Sequence, residues 1–168
     1  MVGSNGAFGL LIGAAVGTLF LVPAHVSAQD SCGDFRAGGP RDLLVLAVLK
    51  GCAEHGSIAA QSYLGLMYAN GEGVPEDDAE AVRWFRLAAE QGSSLSQLNL
   101  GVMYANGDGV PEDQVLAYMW WNLSAGQGNE TAQRSKDIIE QRMTREQIAE
   151  AQRLSREWIE THPQDGGN

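Results

Sequence analysis

Cysteine and histidine are scarce: 168 residues hold two cysteines and three histidines, too few and wrongly spaced for a Cys/His zinc module. Basic residues are outnumbered. Eleven Lys and Arg stand against 21 Asp and Glu, for a formal net charge of −10. Such a field repels polyanions, which excludes DNA, RNA and anionic lipid as binding partners. No Lys or Arg occurs before Arg36. With 44% hydrophobic residues the composition is globular, and the length suits one domain.

Charge is absent altogether from residues 7–22, AFGLLIGAAVGTLFLV, and Val26-Ser27-Ala28 follows Pro23. This is the pattern of an apolar signal core with an A-x-A-like cleavage site after Ala28. The alternative is an uncleaved anchor, but this run of 16 residues falls short of the ~20 that span a bilayer. The expectation is residues 1–28 as a signal peptide and a periplasmic or secreted mature chain with no membrane insertion. In an oxidising compartment Cys32 and Cys52 are expected to pair, tying the irregular arm 29–41 onto the first helix. The alternative leaves Cys52 a small buried residue and Cys32 a thiol.

The 21 glycines are regularly placed. Residues 57–92 align over 93–128 without a gap, with 20 identities in 36 positions. A fixed period of this size marks stacked units that cannot bury their apolar faces alone. Ala60, Leu64, Met67 and Tyr68 share one helical face, repeated by Ser96, Leu100, Met103 and Tyr104. Asn70-Gly71 and Asn106-Gly107 end these helices. Asp77 and Asp113 are N-caps of a second helix, and Asp77 with Glu80 forms a capping-box pair. Gly65 and Gly101 fall inside helices, at a cost of about 0.5–1 kcal/mol each, which points to close approach of another backbone. Trp84 and Trp120 take the packing position; Trp121 is expected to be only partly buried.

The pattern Leu64-Gly65, Tyr68, Gly71, Gly73-Val74, Asp77, Ala81, Trp84, Ala88-Ala89 and Gly92, at a 36-residue period, resembles the Sel-one-like repeat family, relatives of the tetratricopeptide repeats. The resemblance implies an all-α fold, a right-handed α/α superhelical solenoid of two full repeats with helical caps and a concave surface for a protein partner. Shifting by one period makes residues 42–56 an N-terminal capping helix, with Cys52 at the place of Ala88 and Ser124 and so buried. After Gly128 the pattern breaks, because Lys136 and Asp137 replace Leu-Gly. Residues 129–162 read as C-terminal capping helices, a helical hairpin whose second member starts at the capping box Thr144-x-x-Gln147, and 163–168 as a frayed tail.

No chemistry-bearing constellation emerges. His55 reads as a helix C-terminal residue, and the acidic groups at 76–78 and 112–113 lack the alternation of a calcium loop. No catalytic residue, metal or cofactor is expected. What remains is surface: helical projection leaves Ser62, Tyr63, Leu66 and Asn70 opposite the packed arc, with Leu98, Asn99, Val102 and Asn106 in the second unit. This uncharged strip is the expected site for a protein or peptide partner, the asparagines bonding its backbone; the alternative is that the asparagines serve their turns and part of the strip packs on neighbouring helices. The expected function is an exported, monomeric, non-enzymatic adaptor. The alternative implied by the resemblance is a β-lactam-binding or hydrolytic protein like the cysteine-rich family members, but neither repeat here contains a cysteine.

Overall fold

The computed structural model of the chain describes residues 43–162. The expected signal segment, the arm with Cys32 and the expected tail lie outside the described residues. Among the described residues seven α-helices occur in order: α1 (Leu43–Glu54), α2 (Ile58–Asn70), α3 (Asp78–Glu90), α4 (Ser94–Asn106), α5 (Gln114–Gly126), α6 (Glu130–Glu140) and α7 (Arg145–Thr161). Among the described residues there is no strand. The chain is an all-α helical-repeat solenoid. Helices α2/α3 and α4/α5 form the two antiparallel pairs, α1 covers α2 and α3·α4 joins the pairs.

Local chemistry sets each boundary. Ser57, Ser93, Asp77 and Asp113 sit in extended conformation and accept the amides that open their helices. The α2 and α4 helices end in left-handed glycines, Gly71 and Gly107, whose amides return to Met67 and Met103. The expected Asp77–Glu80 box is half formed. Asp77 accepts from the Glu80 amide at 3.0 Å, but the Asp77 N–H is already spent on the Tyr68 carbonyl at 2.9 Å. The Glu80 carboxylate turns instead to Arg83.

The glycines inside α2 and α4 face aromatic rings rather than another backbone. A Cβ on Gly65 would lie 2.5 Å from the Phe85 ring, and one on Gly101 would collide with Trp121. Trp121 is therefore buried, roofing Gly101 while its Nε1–H donates to the Leu98 carbonyl at 3.1 Å. The expectation of partial exposure ignored this notch: without a Cβ on α4 the indole lies flat against the helix and loses its solvent-facing side.

Two glutamines lock successive helices. Gln61 donates to the Ala53 carbonyl at the end of α1 and accepts from Gln91 at 2.7 Å; Gln97 does the same with Ala89 and Gln127. Both are buried, so each bond satisfies a polar group removed from water.

The helix α6 keeps the repeat's placement. Its N-cap Asn129 follows Ser93, and buried Ala132 and Ile139 follow Ser96 and Met103, each by 36 residues. The expected terminal hairpin is not formed. Helices α6 and α7 each pack on α5 and scarcely touch one another. Asp137 stands where Gly101 and Gly65 make the notch, so no ring can seat on α6, and α7 leans on α5 through Trp158, edge-on to Trp120 with centroids 6.2 Å apart. The capping box of α7, Thr144 with Gln147, is complete.

Candidate functional site: the uncharged face of α2 and α4

Neither α2 nor α4 contains a charged residue, on a chain of net charge −10. The two helices touch directly. Ser62 Oγ lies 2.8 Å from Ser96 Oγ and 3.3 Å from Ser93 Oγ, and Ser62 is only 8% exposed. Ser62 thus faces the neighbouring helix instead of the strip, its hydroxyl consumed by the contact. Its successor Leu98 is half-buried against the main core and lends its carbonyl to Trp121. Both residues leave the proposed surface.

The rest of the strip stays together. Tyr63 and Leu66 are half-buried, packed against the two core clusters, and Asn70 is exposed. In α4, Asn99 is half-buried, Val102 is 39% exposed and Asn106 is exposed. Asn106 serves its turn, donating from Nδ2 to Asp108 at 3.0 Å. The Nδ2 of Asn99 is buried with no hydrogen-bond partner, an expense of about 1–3 kcal/mol. Ala59 and Leu95 replace Ser62 and Leu98; Leu95 is 47% exposed. Sequence reasoning missed them, although on a helical wheel Ala59 projects between Leu66 and Asn70 and Leu95 between Val102 and Asn106. The outward residues therefore run i, i+4, i+7 and i+11 from Ala59 and from Leu95.

The other candidate groups take structural roles. His55 closes α1, its Nδ1 at 2.7 Å from the Gly51 carbonyl. Trp84 and Trp120 are buried. Cys52 is buried with Leu49, Leu64 and Trp84 under α1. Among the described residues no group of three or more His, Cys, Asp or Glu could hold a metal ion, and no helix is long and apolar enough to cross a membrane.

Repeated helix pairs with glycine notches, arranged at this period, coincide with a family pattern. The Sel1 repeat family model matches residues 58–93 and 94–129. The chain is a Sel1-like repeat protein. Solved structures agree: c5321, a protective antigen of uropathogenic Escherichia coli strains displaying an SLR fold, is 36% identical, with a TM-score of 0.67 over 70% of this chain and 25% of its own. A Sel1 repeat protein from Oxalobacter formigenes is 41% identical, with a TM-score of 0.53 over 54% of this chain and 26% of its own. The Sel1-like chain thus spans about a quarter of each of these relatives. No curated protein matches it. The Sel1-repeat fold is generally a protein-interaction module.

Proposed function

We propose that this Sel1-like protein is an exported adaptor that holds a segment of another protein across α2 and α4. The observation that carries the reading is the pair of exposed aliphatics, Leu95 and Val102, on a face without charge; apolar surface rimmed by polar groups is the form of a recognition patch. Asn99 adds a donor unpartnered inside the protein, which a carbonyl of the bound chain takes once the amide turns outward. Export rests on the uncharged run 7–22 and Val26-Ser27-Ala28, and places the mature chain in the periplasm or outside the cell, with Cys32 bridged to Cys52. The Leu95→Asp and Val102→Asp variants test the site. Both keep wild-type helicity by circular dichroism and lose the partner captured by the wild-type chain; undiminished capture refutes the site.

A further inference from the structure

The helix expected to cap the array, α1, has an uncovered outer face of its own. Val48 stands 36 residues before Trp84 and 72 before Trp120; both tryptophans are buried, whereas Val48 is 46% exposed. Trp84 lies in a cluster with Leu49, Cys52 and Ala53 of α1, which makes its side of α3 the side of the preceding unit. In α1 that side is left bare. Ala47, Val48, Gly51 and Cys52 form one patch on it, as neighbours at i, i+3 and i+4, and residues 43–49 carry no charge. The outer face of a terminal repeat is ordinarily polar, which keeps the array soluble.

Gly51 indicates the kind of cover. Glycine inside a helix costs about 0.5–1 kcal/mol against alanine, and in α2 and α4 that cost is offset by a ring seated on the glycine, Phe85 on Gly65 and Trp121 on Gly101. A Cβ on Gly51 would meet nothing within 4 Å among the described residues. The third notch is open.

The chain that precedes α1 carries the matching parts. Residues 29–41 hold one aromatic, Phe35, placed three residues after Cys32. Cys52 adjoins Gly51 in the patch and is 9% exposed, while Ala88 and Ser124 at its place in α3 and α5 are fully buried. A disulfide brings two Cα atoms to about 5.5–6 Å. From Cys52 back to Leu43 the helix spans about 13.5 Å at 1.5 Å per residue, and the chain from Cys32 to Leu43 reaches at most about 40 Å. It runs back along α1 with slack. Three residues past Cys32, at most about 11 Å of chain, Phe35 has both Gly51 and Val48 within reach.

We propose that residues 29–41 cover the open end of the solenoid: held by a Cys32–Cys52 disulfide, they run antiparallel along the outer face of α1 and seat the Phe35 ring on Gly51 and Val48. The bridge forms by thiol–disulfide exchange, in which the two thiols pass two electrons and two protons to a disulfide donor that leaves as two thiols. Reduction releases the arm and bares Val48. This inference rests on the Cys32–Cys52 pairing of the exported chain and is independent of the face on α2 and α4.

The test uses the purified full chain, its bridge closed by oxidised glutathione and opened by reductant. Closure removes two hydrogens from the intact mass and slows hydrogen exchange of the α1 amides. In the bridged chain Phe35→Ala speeds that exchange at least about tenfold. Gly51→Ala separates a seated ring from a mere tether: it lowers the urea midpoint of the bridged chain, where the methyl meets the ring, and raises it in bridged Phe35→Ala, where helix propensity alone acts. A bridge that does not close overturns the proposal, as does exchange indifferent to Phe35→Ala or a midpoint that Gly51→Ala raises in both chains. A concentration-dependent dimer of the bridged chain in sedimentation, dissolved by Val48→Asp, assigns the face to a second copy and overturns it as well. The intact mass of the chain as isolated, before glutathione, tests the export reading by itself: a retained leader with free thiols removes that reading, while closure by glutathione and the opposite signs of Gly51→Ala still uphold the cover.

Discussion

Replacing Gly101 with alanine sets two effects of opposite sign against each other. In a helix interior alanine is better than glycine by about 0.8–1.0 kcal/mol. Here the new methyl would clash with Cδ1, Nε1 and Cε2 of Trp121, closer than van der Waals contact allows. The indole cannot yield cheaply, because it is 6% exposed and bonded to the Leu98 carbonyl at 3.1 Å. Displacing it costs about 1–3 kcal/mol, as over-packing does, plus about 0.5–1.5 kcal/mol for the strained hydrogen bond. The expected net loss is about 0.5–3.5 kcal/mol. Gly126→Ala is the internal control. Gly126 is exposed, lies at the end of α5, and a Cβ there meets nothing within 4 Å, so alanine stabilises by up to about 1 kcal/mol. Urea unfolding followed by far-ultraviolet circular dichroism and tryptophan fluorescence measures both. If Gly101→Ala gains stability as Gly126→Ala does, the aromatic notch is not what holds α5 against α4.

Trp121→Phe recreates the Phe85–Gly65 pair of the first repeat and is expected to cost about 1 kcal/mol, against about 3–5 kcal/mol for Trp121→Ala in the same unfolding assay. Gln97→Leu removes the bonds to the Gln127 amide and the Ala89 carbonyl, a loss of about 0.5–1.5 kcal/mol for each, whereas the same change at exposed Gln133 is close to neutral. Ser62→Ala and Ser96→Ala are each destabilising and their double mutant is less so than the sum, because both remove the same buried bond, the Ser62 hydroxyl keeping only its longer contact with Ser93 when Ser96 is lost. Burial holds the Tyr118 phenol above its ordinary value of 10.0, with the Gln152 bond opposing and Glu140 and Asp137 adding. A raised folded-state pKa means that its contribution is complete below the unfolded value and is lost as the pH rises above it; in an alkaline absorbance titration Tyr118 should ionise above that ordinary value, and Tyr118→Phe should remove this step. Intact mass with and without reductant should differ by two hydrogens if Cys32 and Cys52 pair.

The paired helices were legible because their signals are local. Ser57, Ser93, Asp77 and Asp113 cap the helix that follows each, and Gly71 and Gly107 end the helix that precedes them. The same holds for Thr144 and Gln147. The candidate face was legible only in outline. A helical wheel separates inside from outside but cannot say which neighbour takes a flank, so Ser62 was assigned to solvent while Ser96 of the next helix claims it. The repeat register of α6 escaped because the loss of Leu-Gly at Lys136-Asp137 looked like the end of the array. The glycine notch receives the following helix, whereas the capped, buried edge of α6 receives the preceding one, and only the first of these was lost.

By itself the sequence determined the repeat, its 36-residue period, the helix boundaries and the absence of charge along α2 and α4, because capping, left-handed glycine and periodicity act within a few residues of chain. Tertiary structure alone decided that rings fill the notches at Gly65 and Gly101, that α7 rests on α5 instead of α6, and that Ser62 is inside while Leu95 and Val102 are outside. Those outcomes depend on which surfaces meet across helices some thirty residues apart, and burial belongs to the pair of surfaces, never to one helix read alone.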